Sequence, residues 1–262
     1  MSATIHSTAI IDPKAKIAEN VSIGPYSVIG PEVEIGEGTW IGPHVVINGW
    51  TKIGKDNKIF QFSSIGEEPQ DYSYKGDPTR LEIGDRNVIR ESVTISRGTT
   101  KAQGLTKIGN DNWLLAYAHV AHDCLIHNHA LLSNNASLAG HVIIHDHALI
   151  GALSAIHQHC EIGAYAFVAR AAMIPNSVPP YILVSGNDPK LYGINQIALE
   201  RKGFSKTAIK NIWQAYKILY RQKLSTKDAL EKIQELVAET SEVQVMIDFI
   251  KRVEESGRGI IR

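Results

Sequence analysis

"SIGPYSVIGPEVEIGEGTWIG", residues 22–42, carries a period that belongs to neither a helix nor an ordinary strand. Its aliphatic residues Ile23, Ile29, Ile35 and Ile41 stand six apart. A helix returns its apolar residues about every 3.6 positions and a half-buried strand about every two. Working outward, the same register begins at Ile5, passes Ile11 and Ile17, continues through Ile47, Ile53, Ile59 and Ile65, and returns at Ile83, Ile89 and Ile95. It then slips by one residue and runs from Ile108 through Leu114, Val120, Ile126, Leu132, Leu138, Ile144, Ile150, Ile156, Ile162 and Val168 to Ile174. Two residues before each marker the side chain is usually small or branched, as at Val21, Ser27, Val33, Thr39 and Val45. Short strands of β-branched residues joined by turns satisfy this pattern. Glycine often follows the marker, as at Gly24, Gly30, Gly36 and Gly42, which predicts tight turns that use positive φ there.

The pattern resembles the hexapeptide repeat of left-handed parallel β-helices, in which three hexapeptides form one triangular coil of eighteen residues. Two polar, Gly- and Pro-containing stretches interrupt it, near residues 66–82 ("GEEPQDYSYKGDPTRLE") and 96–107 ("SRGTTKAQGLTK"), and read as loops. Long loops on a rigid scaffold commonly carry function. The expected organisation is mainly β: a β-helix over 1–183, then a connector and an α-helical part over 184–262. Three helices are predicted after about Asn195, from "SKTAIKNIWQAYKILYRQ", "STKDALEKIQELVAE" and "SEVQVMIDFIKRVEES". Ser205 is the expected N-cap of the first, and Ser225 with Asp228 forms a capping-box-like pair on the second. These helices should close the coil's last end.

Charge narrows the function. Lys plus Arg and Asp plus Glu number 27 each, so there is no strong field to recruit nucleic acid or an anionic membrane. No stretch approaches the ~20 apolar residues of a membrane span, and no signal peptide is evident, so a cytoplasmic protein is expected. Cys124 and Cys160, thirty-six residues apart, would lie two coils or ~9.6 Å apart, too far for a disulfide.

Residues eighteen apart should stack at ~4.8 Å, the parallel-strand spacing. Val120, Leu138 and Ile156 then share a face, and His122, His141 and His157, which follow them, should gather at one corner. His127 and His129 fall at the next corner beneath His145 and His147. Stacked imidazoles suit transition metals, but turn positions facing water are the expected reading, and no metal is assigned.

The chain also resembles, over nearly its whole length and in order, the UDP-N-acetylglucosamine O-acyltransferases that start lipid A synthesis. The segments that carry the likeness are "HVVINGWTKIGKDN", "QFSSIGEEPQD", "PTRLEIGDRNVIRESVTISRGT", "AHVAHDC", "NNASLAGHV", "AIHQ", "VPPYILVSGN" and "RKGFS". The resemblance implies transfer of an (R)-3-hydroxyacyl group from acyl carrier protein to the 3-hydroxyl of UDP-N-acetylglucosamine, without cofactor, by a homotrimer with sites between subunits. It implies His122 as general base and the Gly140 N–H as oxyanion donor, and by triad logic Asp123 or another nearby carboxylate or carbonyl orients the imidazole. It implies His119, His141 and His157 as cleft residues, Gln70 and Asp71 as sugar and nucleotide contacts, and Gln158, Asn195 and Arg201 as contacts to the donor or uridine diphosphate.

Two departures stand out. "QDYSY" leaves Ser73 where the family has a substrate-contacting lysine, so that either Lys75, two residues on, substitutes through loop adjustment or the sugar is held differently. "GAYAFVARAAM" places Arg170 where long-chain members have glycine at the end of the acyl groove, which predicts a shorter preferred chain. The competing readings are another hexapeptide acyltransferase, transferring an N-acyl or acetyl group, or a zinc hydratase of the γ-carbonic anhydrase type. The N-acyltransferase of the same pathway carries an additional N-terminal domain, whereas this repeat starts by Ile5.

Overall fold

Each hexapeptide contributes one short strand, usually of two residues, from Thr4–Ile5 to Met173–Ile174. A computed structural model describes residues 2–236, 238 and 240–262. Successive strands go to three different sheets of eleven, nine and eight strands, so the chain winds around a triangular prism. Pairing is parallel and in register at a separation of eighteen residues: Ile23 opposes Ile41, and Ile29 opposes Ile47. The marker residues point inward, and Ile41, Ile47, Ile59 and Ile65 have no exposed surface. Each such side chain contributes roughly 1.5–3 kcal/mol by leaving water. The second inward position is buried as well, at Val21, Ser27, Val33, Thr39 and Val45.

The turns differ from expectation. Positive φ falls three residues after the marker, at Tyr26, His44, Asp123, His141 and His159 among others, and not at Gly24, Gly30, Gly36 or Gly42; Gly66, at the start of the first loop, is a following glycine that does have it (75°). The glycines that lack it answer to crowding instead. A Cβ on Gly24 would lie 2.8 Å from the carbonyl carbon of Gly42 in the next coil, so the corners stack only if it is absent.

Both interrupting loops leave the prism at one corner, where the second sheet passes to the third. The first joins strand Ser64–Glu67 to Arg80–Ile83, and the second joins Thr94–Ser96 to Leu105–Ile108. The strands therefore reach slightly further into both loops than the composition suggested. Ile53 pairs with Ile83 and Ile83 with Ile108, so the second loop absorbs the one-residue slip and the third sheet stays in register. Below the helical part, buried Asn57, Asn87 and Asn112 form a ladder in which each side-chain carbonyl accepts the next coil's backbone N–H.

After Ile174 the connector is more ordered than expected. Ile182–Ser185 extends the first sheet beside Phe167–Val168 and folds back antiparallel onto Lys190–Ile194. Among the described residues four helices follow rather than three: α1 (Gln196–Arg201), α2 (Lys206–Arg221), α3 (Thr226–Gln234) and α4 (Ser241–Glu255). α1 is too short to show a hydrophobic period in sequence. Val237 and Glu239, inside the second predicted helix, lie outside the described residues. Ser205 caps α2 by accepting from the Ala208 N–H, and Ser225 caps α3 by accepting from the Asp228 N–H while its hydroxyl donates to the Asp228 carboxylate. α2, α3 and α4 join the hydrophobic core of the last coils, whereas at the other end Ile5 and Ile10 stay exposed. Cys124 and Cys160 are buried free thiols. No described helix is long and apolar enough to cross a membrane.

Candidate active site

His119–Val120 is a strand of the second sheet, and the turn after it carries Ala121, His122, Asp123 and Cys124 over the corner from which both loops spring. His122 and Asp123 are adjacent yet face each other, because the positive φ of Asp123 (59°) folds the turn back. The distance from His122 Nδ1 to Asp123 Oδ2 is 2.8 Å. The carboxylate is fixed in turn by the second loop: Thr99 donates its backbone N–H at 2.9 Å and its hydroxyl at 2.6 Å. Burial pushes the Asp123 carboxyl upward, but the bonds from His122 and Thr99 outweigh it and hold the group below its ordinary range. Asp123 therefore stays ionised at neutral pH and selects the tautomer with hydrogen on Nδ1, leaving Nε2 as the acceptor.

The His122 ring packs against Gly140. A Cβ at position 140 would lie 2.6 Å from His122 Cε1 and 2.9 Å from Nε2, so the imidazole occupies the space a side chain would need. Among the described residues the Gly140 N–H donates to no protein acceptor. The site thus pairs an imidazole with a bare backbone donor, a combination suited to activating a hydroxyl and stabilising the oxyanion it creates.

His141 meets the His122 ring edge to face at 5.2 Å, and burial lowers its pKa against the opposing pull of Asp123. The third place in the line goes to His159, whose ring stacks on His141 at 4.4 Å, and not to His157. Asp123, His141 and His159 are eighteen apart and share the positive-φ position, so those three stack. His157 stands two residues earlier on the turn, exposed and engaged by the Arg258 guanidinium. Distance from the nearest marker is a poor guide to which ring meets which, whereas an eighteen-residue search from His141 finds His159.

His119 is mostly buried with Nδ1 2.7 Å from the Thr94 hydroxyl; desolvation, aided by nearby His122, lowers its pKa. Gln158 is exposed beside His159, and exposed Gln70 leads into Asp71 on the first loop. Asp71 accepts from Lys101 Nζ at 2.8 Å and from both the N–H and hydroxyl of Ser73 at 2.9 Å, which together hold its carboxyl well below the usual range. Asn195 and Arg201 are not at this corner. Asn195 is buried with its side-chain amide donating to the Tyr165 carbonyl, and Arg201 ends α1, exposed. Tyr165 belongs to a different prism edge, where His129, His147 and Tyr165 stack at 4.7 Å intervals. Arg170 is exposed on the turn entering Met173–Ile174.

The other histidine stack is less watery than expected. His127 and His145 stack at 5.1 Å, and His145 Nε2 lies 3.0 Å from Glu161, which also accepts from Arg252 of α4 at 2.8 Å. Among the described residues, the ligand atoms of His122, Asp123 and His141 are the ones grouped closely enough to suit a metal, all within 4.8 Å of one another. Asp123 already accepts three hydrogen bonds from His122 and Thr99, which fits an orienting carboxylate better than a metal ligand. A cleft of about 660 Å³ opens on this corner, bounded by Asp123, His141, Gln103 and Leu125.

The family model for bacterial transferase hexapeptides matches residues 2–36 and 105–140. Fold and site together define a hexapeptide-repeat acyltransferase, a left-handed parallel β-helix with an imidazole–carboxylate pair at one corner. A second family model, described as UDP-N-acetylglucosamine O-acyltransferase domain 2, matches residues 178–261. Curated relatives named acyl-[acyl-carrier-protein]–UDP-N-acetylglucosamine O-acyltransferase are 51% identical in Halorhodospira halophila, over 98% of this chain and 99% of theirs, and 47% identical in Thiobacillus denitrificans, over 99% and 100%. The solved LpxA of Acinetobacter baumannii superposes with a TM-score of 0.95 at 46% identity, covering 98% of this chain and 99% of that one. The Arabidopsis UDP-N-acetylglucosamine acyltransferase gives 0.84 at 32%, covering 98% and 100%. The chain belongs to the acyl-[acyl-carrier-protein]–UDP-N-acetylglucosamine O-acyltransferase family.

Proposed function

We propose that this protein transfers an (R)-3-hydroxyacyl group from acyl carrier protein to the 3-hydroxyl of UDP-N-acetylglucosamine, the opening step of lipid A synthesis, with His122 as general base. The names of the relatives support the substrates. The observation that supports the mechanism is the His122–Asp123 bond of 2.8 Å, with the imidazole packed against Gly140. In this reading the sugar hydroxyl attacks the thioester carbonyl while His122 Nε2 takes its proton. The Gly140 N–H stabilises the resulting oxyanion, the carbon–sulfur bond then breaks, and the departing thiolate recovers the proton from the imidazolium. His119 and His141, whose pKa values are lowered, stay neutral beside His122 without repelling that imidazolium.

The reading includes a cytoplasmic homotrimer. Its support is that Asn195 and Arg201 sit near a different prism edge from His122, so a neighbouring copy must bring them if all act in one site. The decisive experiment is acyl transfer to UDP-N-acetylglucosamine from a panel of 3-hydroxyacyl carrier proteins, comparing the native chain with His122→Ala. A fall in kcat of about 10²–10⁴-fold with an unchanged circular dichroism spectrum is expected. Full activity in the variant removes His122 from the mechanism.

A further inference from the structure

Ser73 occupies a position where the family resemblance leads one to expect a cation, and its own chemistry cannot supply one. Both of its donors are spent on the Asp71 carboxylate. The ammonium that reaches Asp71 comes from the other loop, at Lys101. Lys75 is exposed and, among the described residues, has no ion-pair partner.

Three observations give Lys101 a fixed place in the site. The two loops are tied together beside it: Arg97 donates to the Tyr74 hydroxyl at 3.0 Å and Thr100 to Asp77 at 3.2 Å. Two residues before Lys101, Thr99 grips the carboxylate that orients His122. Asp71 in turn stands close enough to His141 for its charge to raise that imidazole's pKa, against the larger effect of burial. Lys101 is therefore anchored beside the loop that holds the catalytic corner, with its side chain 56% exposed.

An ionised Asp71 at the entrance would repel a nucleotide diphosphate. Lys101 neutralises that carboxylate, and its ammonium has three donors, of which Asp71 takes one. We infer that Lys101 is the acceptor-binding cation of this enzyme: it holds Asp71 in position and presents its remaining donors to the diphosphate of the nucleotide sugar, replacing from the second loop the charge that Ser73 lacks on the first. The inference rests on the acceptor proposed above.

The test is calorimetric titration of the full chain with UDP-N-acetylglucosamine, joined to steady-state kinetics on both substrates. Lys101→Met should raise acceptor Kd and KM about tenfold while kcat and donor KM stay within about threefold, the signature of lost binding rather than lost chemistry. Lys75→Met should leave acceptor affinity within about twofold, and adding Ser73→Lys to Lys101→Met should recover most of the loss. Native affinity in Lys101→Met, or an equal loss in Lys75→Met, overturns the assignment. Failure of the native chain to bind UDP-N-acetylglucosamine overturns it together with the proposed acceptor, whereas native binding that Lys101→Met leaves untouched overturns it alone.

Discussion

Gly140 does at one position what the rest of the corner does with several residues: it leaves room. The His122 ring lies where a Cβ would be, so Gly140→Ala must push the imidazole off its line with Asp123. Displacement of about 1 Å at a reacting group can cost about 10²-fold in rate. The alanine variant should therefore lose about that factor in kcat; unchanged kcat in the transfer assay would show that the ring position is not critical. Part of this arrangement is legible in sequence. His122 follows Val120 by two, which puts it on a turn, and Gly140 stands eighteen residues above it. The bond to Asp123 is not legible, since it depends on a positive φ at a non-glycine residue. The same backbone feature gave His159, and not His157, the place against His141.

The outer face of the second sheet changes character along its length. His119, Ser137, Ala155 and Met173 oppose one another in register, coil after coil. Three coil steps of ~4.8 Å make a path of ~14 Å from the catalytic corner, with the small side chains of Ser137 and Ala155 between His119 and Met173. Arg170 stands on the turn that leads into Met173–Ile174, at the far edge of this face. If the acyl chain lies on this path, the guanidinium sets its end. Arg170→Gly should then shift donor preference toward longer acyl chains in competition between carrier proteins of different chain length, and an unaltered preference would assign the ruler elsewhere. The inserted loops are the other element whose role comes from placement. Their composition marked them as loops, and the strand phase located their ends to within a few residues. Their mutual contacts, Lys101 with Asp71 and Arg97 with Tyr74, lie outside any repeat and were invisible in the sequence.

Assembly is where one chain stops being sufficient for the proposed chemistry. His122 lies on the edge between the second and third sheets, and the Asn195 side chain is bonded to Tyr165 on another edge. A trimer with sites between copies would let inactive chains repair one another. Chains carrying His122→Ala and chains carrying Arg201→Ala, coexpressed in equal amounts, should give mixed trimers in which one site of three is intact, or about a quarter of native activity across the random population. Activity no greater than the average of the separate variants would mean that both residues serve the same chain's site, or that Arg201 serves none.

The strict six-residue spacing, with its small or branched partner position, determined the prism, its coil length, the two interruptions and the edge on which His122 sits. It did so because stacking in a parallel coil is a local rule: each residue's neighbour is the one a fixed number of positions away, wherever it falls in the chain. Tertiary structure alone decided which imidazole meets which, that Thr99 grips Asp123, that α1 and the 182–194 hairpin precede the three longer helices, and that Lys101 reaches Asp71. Loops and turns have no period to carry that information, so their contacts follow from the path the backbone takes through space once the coil has brought their ends together.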